Sequence, residues 1–211
     1  MRKRTLLCSI SALLLICGAL LSCAPPAHAQ EASHAWWSRP TLTGDWGGLR
    51  SKLKQKGITF NPSYASESAG IVSGGPSRTA RYTQQLALET LFDLQKLAGV
   101  PDAKVQVTLT YRSGRSLTND VLHNQFSVQE LYGAGQNFRL AEMNYQQSLD
   151  DQRIDIELGW SPIGDHFARL PDFCKFQNGV ICGHANAMTT NSGAHNFPTA
   201  EWGARIRYHA T

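Results

Sequence analysis

The sequence predicts an all-β protein: the antiparallel wall of a transmembrane β-barrel, about six strands long, preceded by a short helix. Three observations carry this prediction. From Ile58 onward apolar and polar residues alternate with a period of two, and the polar set includes charges on nearly every strand, as a water-filled lumen requires. Aromatic residues (Tyr82, Phe92, Tyr111, Trp160, Trp202 and Tyr208) stand at the ends of the apolar faces. The connections alternate between short and long, which is the asymmetry of membrane barrels. Alternation by itself also suits a sandwich or a jelly roll; the three together favour the barrel.

The elements follow in order. Residues 1–29 read as a secretory signal peptide, with Met1-Arg2-Lys3-Arg4 as the charged start, an apolar run from Thr5 to Ser22, and Ala27-His28-Ala29 as the cleavage site. An uncleaved anchor and lipid attachment at Cys23 are the alternatives; Leu21 suits the second poorly. Residues 30–57 form a leader with Trp36 and Trp37 and then a helix over Thr43 to Gly57. Asp45 is the expected cap, Leu49 and Leu53 share a face, and Gly57 ends the helix. Residues 58–211 form the partial barrel. Its first strand, Ile58 to Ser68, is weakened by Pro62. The second sets Tyr82, Leu86, Leu88 and Phe92 against Arg81, Thr83, Gln85 and Glu89. The third sets Val105, Val107, Leu109 and Tyr111 against Lys104, Gln106, Thr108, Thr110 and Arg112. The fourth places Ala141, Met143, Tyr145 and Leu149 on the apolar face and Leu140, Glu142, Asn144, Gln146 and Ser148 on the polar one. The fifth opposes Ile154, Ile156, Leu158 and Trp160 to Arg153, Asp155 and Glu157, and the sixth opposes Trp202, Ala204, Ile206 and Tyr208 to Glu201, Arg205, Arg207 and His209. Loops at 69–80, 114–136 and 161–200 then lie at one end, and the short links 94–103 and 150–152 at the other.

Composition narrows the function. The 211 residues are 42% hydrophobic and 17% charged, which argues against disorder. The formal charge of +4 owes three positives to Arg2, Lys3 and Arg4, so the chain after residue 29 balances 17 basic against 16 acidic residues. A nucleic-acid binder keeps a basic patch, and this chain does not. Neither G-x-S-x-G nor H-E-x-x-H occurs, and Ser51-Lys52-Leu53-Lys54 lacks the companion motifs of penicillin-recognising enzymes, so no enzyme is expected. Of five cysteines only Cys174 and Cys182 lie beyond the leader. An oxidising compartment favours their pairing as a disulfide. The alternative, a metal site drawing on Cys174, Cys182, His184 and His195, matches no common zinc spacing, so no metal is expected.

Several segments then point to a family. Leu42-Thr43-Gly44-Asp45-Trp46-Gly47-Gly48-Leu49-Arg50 with Lys56-Gly57-Ile58, Tyr111-Arg112-Ser113-Gly114-Arg115-Ser116-Leu117, and Ser127-Val128-Gln129-Glu130-Leu131-Tyr132-Gly133-Ala134-Gly135-Gln136 resemble carbohydrate-selective porins of the OprB type. Phe173-Cys174-Lys175-Phe176-Gln177-Asn178, Cys182-Gly183-His184, Asn191-Ser192-Gly193 and Trp202-Gly203-Ala204-Arg205 continue the likeness along nearly all of the chain after the leader. The resemblance implies an outer-membrane barrel of sixteen strands that passes glucose-like sugars into the periplasm by facilitated diffusion. Its partners would be the carbohydrate and outer-membrane lipid, with a homo-oligomer open for the full-length protein, and no cofactor. About six strands are countable here, so the chain resembles the amino-terminal half of such a porin and is not expected to form a family-type channel alone. A non-conducting truncated porin and a soluble periplasmic sugar-binding β-protein are the alternative readings.

A neutral polyol is favoured in a pore by hydrogen bonds that replace its water, and binding must stay weak enough to release it. The resemblance makes Arg112 and Arg115, where the third strand enters a long loop, the first candidates for a constriction, and Gln129 and Glu130 the second. The competing role for the arginines is to pair with acids that stabilise the wall. Asp155 and Glu157 beside Arg153 read as a structural ion-pair ladder rather than as catalytic carboxylates.

Overall fold

Alternation of two unlike faces along each strand leaves a sheet one way to satisfy both, and six strands do so in sequence order. A computed structural model describes residues 41–167, 169, 175–181 and 186–210. The signal peptide, Cys174, Cys182 and His184 lie outside the described residues. Two units divide the chain at Trp46; in the first, the described residues 41–46 make a turn in which Thr41 Oγ1 donates to Gly44 O at 3.3 Å.

In the second unit, helix α1 (Leu49–Gln55) leads into β1 (Ile58–Gly70), β2 (Ala80–Asp93), the short helix α2 (Leu94–Ala98), β3 (Ala103–Gly114), β4 (Phe138–Leu149), β5 (Ile154–Ser161), a further helix α3 (Asn186–Ser192) and β6 (Glu201–Tyr208). The sheet is antiparallel throughout, in the order β1-β2-β3-β4-β5-β6. Consecutive strands therefore turn back on each other and the connections fall alternately at two ends. One end holds the turns around α2 and residues 150–153, here the turn end; the other holds residues 71–79, 115–137 and the described residues between β5 and β6, here the loop end. No helix among the described residues is long and apolar enough to cross a membrane, a fact that says nothing of crossing by strands.

Two sequence expectations are corrected. The helix begins at Leu49 rather than Thr43, because Gly47 and Gly48 adopt positive φ (66° and 88°), which only glycine takes readily. Gly48 stands at the N-cap with no side-chain cap, so Asp45 does not fill that place. In β4 the register shifts between Thr108 and Leu109 of the partner: Thr108 faces Glu142 but Leu109 faces Leu140, leaving Ala141 as a bulge residue. Leu140 thereby joins the apolar face, 37% exposed, and Ala141 is fully buried, the reverse of strict alternation.

Cross-strand partners show what each face is. One face carries rows such as Leu88–Leu109–Leu140, Val107–Met143–Trp160–Trp202 and Tyr145–Leu158–Ala204. These side chains are bare: Trp202 is 70% and Ile206 74% exposed. Aromatics band this face toward the loop end, where the Tyr64 and Tyr82 hydroxyls meet and Trp160 meets Trp202 edge-on with ring centroids 6.0 Å apart. Buried hydrophobics among the described residues are few and mostly small (Ala103, Leu117, Leu131, Ala141 and Ala200), whereas Arg112, Gln129, Glu142, Asn144 and Glu157 are buried. That is the inverse of a water-soluble core, in which large apolar side chains occupy the interior. A bare apolar face of this extent with aromatic bands fits hydrocarbon. Fourteen residues of β2 tilted by about 40° span about 36 Å, longer than the apolar band of about 25 Å, so the strand ends stand clear of it.

Candidate functional site

The opposite face is polar, and its side chains bind one another in rows. Asn61 Nδ2 donates to Glu89 Oε1 at 2.7 Å, and Gln106 Nε2 donates to Glu142 Oε2 at 2.5 Å and more weakly to Glu89 at 3.4 Å. Asn144 Nδ2 donates to Glu142 Oε1 at 2.7 Å and Ser161 Oγ at 2.9 Å, while Gln146 Nε2 donates to Asn144 Oδ1 at 2.9 Å. Amides thus alternate with carboxylates across β1 to β5, so the negative groups are met by neutral donors. On β5, Glu157 takes Arg205 NH2 at 3.0 Å and His166 Nε2 at 2.9 Å; Asp155 accepts from Ser148 Oγ at 2.8 Å and meets His209 Nε2 at 2.7 Å. Around these two carboxylates Arg205 is the cation, and His166 and His209 are hydrogen-bonding partners, in place of the expected Arg153.

Two loops at the loop end fold onto this polar face. In residues 115–137, Gln129 is fully buried: its Oε1 accepts from Leu117 N at 2.8 Å and its Nε2 donates to Glu67 O and Arg81 O at 3.3 and 3.2 Å. Leu131 N donates to Glu67 Oε2 at 2.9 Å, which pins the same loop to β1. The second loop lies over the first, with Glu130 N donating to Gln177 O and Gly179 N to Ser127 O. One main-chain segment is thus held between the wall and another loop.

Arg112 lies at the centre. Its side chain is 3% exposed; Nε donates to Gln85 Oε1 at 2.7 Å, NH1 to Gly133 O at 2.8 Å, and NH2 stands 3.9 Å from Glu130 Oε1. Burial pushes the Glu130 carboxyl above the ordinary carboxylate range, and the nearby Arg112 charge opposes that rise. Both residues border an open recess of about 400 Å³ whose other walls include Phe126, Ser127, Asn196 and Phe197. The recess combines guanidinium donors, a carboxylate and two aromatic rings, a set able to hold a hydroxylated ring.

The four sequence candidates therefore separate. Arg112 and Glu130 come together at the recess. Arg115 is 70% exposed and pairs with Asp120 at 2.8 Å, and Gln129 is buried in holding the loop in place. Glu67 was missed: it closes the Arg112 cluster from β1, and its parity with Asn61 along the strand was the available signal.

Asp120 Oδ2 also meets Arg81 Nε at 2.6 Å, so one carboxylate clamps two arginines at the base of the loop. The Arg81 hydrogen bond chiefly holds its carboxyl below the ordinary carboxylate range. A depressed folded-state pKa contributes stability that is present above the unfolded value and lost as pH falls through the folded one. Acidification below the ordinary carboxylate range should therefore loosen residues 115–137. Limited proteolysis by an acid-active protease should show faster cleavage there at low pH, and Asp120→Asn should show it already at neutral pH.

Known proteins resemble this chain in sequence and in fold. The sequence profile of the carbohydrate-selective porin, OprB family, matches residues 77–211. Porin B of Pseudomonas aeruginosa is 35% identical over 192 residues, covering 87% of this chain and 41% of that protein. The putative porin QuiX of Acinetobacter baylyi is 32% identical over 198 residues, covering 90% and 45%. The high-pH structure of Pseudomonas putida OprB superimposes with a TM-score of 0.75 at 38% identity, over 82% of this chain and 42% of that one. The chain spans less than half the length of each of these relatives.

Proposed function

Because the chain belongs to the carbohydrate-selective porin, OprB family, we propose that it forms part of the wall and constriction of an outer-membrane channel for glucose-like neutral sugars moving into the periplasm. The observation that carries the reading is the inside-out sheet: bare apolar and aromatic side chains on one face, a bonded amide–carboxylate lattice on the other, and two loops folded onto the polar face around Arg112 and Glu130. The wall needs further strands. In hydrocarbon each unpaired backbone group at an open sheet edge costs several kcal/mol, so β1 and β6 must pair onward in a closed barrel, sixteen-stranded in this family's pattern. No bond is made or broken in such passage. Neutral amide donors along the lattice suit a hydroxylated substrate of no charge, and exchange of water hydrogen bonds for protein ones keeps binding weak.

The test is a graft of residues 58–210 in place of the matching segment of Porin B. Proteoliposomes carrying the graft should swell in iso-osmotic glucose, and glucose should reduce the ion current through single channels in planar bilayers. A graft that inserts as a folded barrel but passes ions with no sensitivity to sugar would overturn the carbohydrate reading. Recovery of the chain itself in the osmotic-shock fraction, without detergent, would overturn its membrane placement.

The loop end is proposed to face the cell exterior and the turn end the periplasm. In the same graft, a cysteine at Ser77 should react with an impermeant maleimide on intact cells, and one at Asp151 only after permeabilisation. The opposite result inverts the wall.

A further inference from the structure

Far from the loops, the polar face holds a second recess, of about 160 Å³, at the turn end. Its inward-facing polar lining includes Asp102, just before β3, and Lys104, Gln146, Ser148, Asp155 and Arg205 of two adjoining rows. Lys104 lies eight residues before Arg112 on the same strand, about 26 Å along it. The two recesses are therefore separate places on one wall.

Several of these groups have hydrogen-bonding capacity to spare. Lys104 is exposed and makes no ion pair among the described residues. Arg205 spends NH2 on Glu157, while its Nε is buried without a protein partner. Gln146 donates to Asn144 and keeps its carbonyl oxygen for another donor. The Ser148 hydroxyl is fixed by Asp155 at 2.8 Å, which leaves its oxygen free to accept. Formal charge within the lining balances, with two cations against two carboxylates. Fixed donors and acceptors around a small volume of no net charge match a neutral ligand with several hydroxyls, and the volume admits one pyranose ring rather than a chain of them. Ser148 N donates to Asp102 O at 3.1 Å, so the turn that bounds the recess is held by the strand beside it.

We propose that this recess is an exit subsite for a single hexose, occupied after the ring leaves the recess at Arg112. The proposal rests on the sugar-channel reading above and adds a second, independent station to it. Two weak stations in series let a ring step down the wall without any one contact holding it.

The probe is D-glucose, followed by saturation-transfer difference NMR on the Porin B graft of residues 58–210 in detergent, with the unsubstituted graft as wild type and each variant first matched to it by circular dichroism. Wild type should give a saturable signal with two components. Lys104→Met with Gln146→Leu should weaken one component at least fivefold and leave the other; Arg112→Ala should do the reverse. Lys104→Arg, which keeps the charge and the donors, should restore most of the lost component. A double variant indistinguishable from wild type, with Arg112→Ala still reducing the signal, would overturn the exit subsite alone. Absence of any glucose signal in wild type would overturn both readings.

Discussion

Arg112→Ala should abolish most of the sugar block of ion current through the grafted barrel while leaving the open pore conducting. The guanidinium binds Gln85, the Gly133 carbonyl and, at longer range, Glu130, and it is nearly inaccessible to water. Removing one partner of a buried charged set leaves the others uncompensated, at a cost of about 3 kcal/mol or more. That cost falls on the loop, because Gly133 and Glu130 belong to the segment that Gln129 and Leu131 pin to the wall. The expected readout has two parts: a glucose block weakened by at least tenfold, and larger current noise from a less fixed loop. Arg112→Lys should recover little of it, since an ammonium cannot reproduce the divergent contacts of a planar guanidinium. A block unchanged in both variants would move the constriction to other residues.

Gly159→Ala should be strongly damaging to the sheet. Gly159 has φ 142°, a conformation that side-chain-bearing residues rarely adopt, and a Cβ there would fall 2.5 Å from Met143 O and 2.7 Å from Asn144 Cα. Both atoms are main chain of the neighbouring strand, so relief requires β4 and β5 to separate where their ladder and the Asn144 amide network meet. Strain of this kind in a paired strand costs about 3 kcal/mol or more. Gly203, its partner on β6, has open space at the same point, so Gly203→Ala should be tolerated. Heat-modifiable electrophoretic mobility of the two variants makes the comparison directly: a folded band for Gly203→Ala and its loss for Gly159→Ala.

Much of this was legible in the sequence, since a period of two with charges on one face specifies strand, face and order together. The five better strands were placed with their faces correct apart from β4. There the adjacent apolar pair Leu140-Ala141 fits either parity, and only the pairing with Leu109 decides between them. The helix start was misjudged because Asp45 is a good cap by type, while the glycines after it dictate the backbone. Long-range polar contacts were the least visible. Nothing local announces that Gln129 meets carbonyls of Glu67 and Arg81, or that Asp155 is served by His209 from 54 residues away rather than by nearby Arg153. The family resemblance singled out Arg112, Arg115, Gln129 and Glu130 together, and only the fold separates Arg112 and Glu130, which meet at the recess, from Arg115, which extends into solvent.

The extra residue at Ala141 separates two properties that a strand ordinarily couples. With Ala141 taken out, Arg139, Leu140, Glu142, Met143 and Asn144 would alternate without a break, and each would keep the face it has now. Facing is therefore not what the additional residue supplies. A bulge bends its strand and sharpens the local twist, and this one sits between the level of Glu142 and the level at which the loops fold inward. Curvature of the wall is thus adjustable by the length of one strand without altering a single lining side chain. Sheets of one lining chemistry and different curvature then lie a single codon apart.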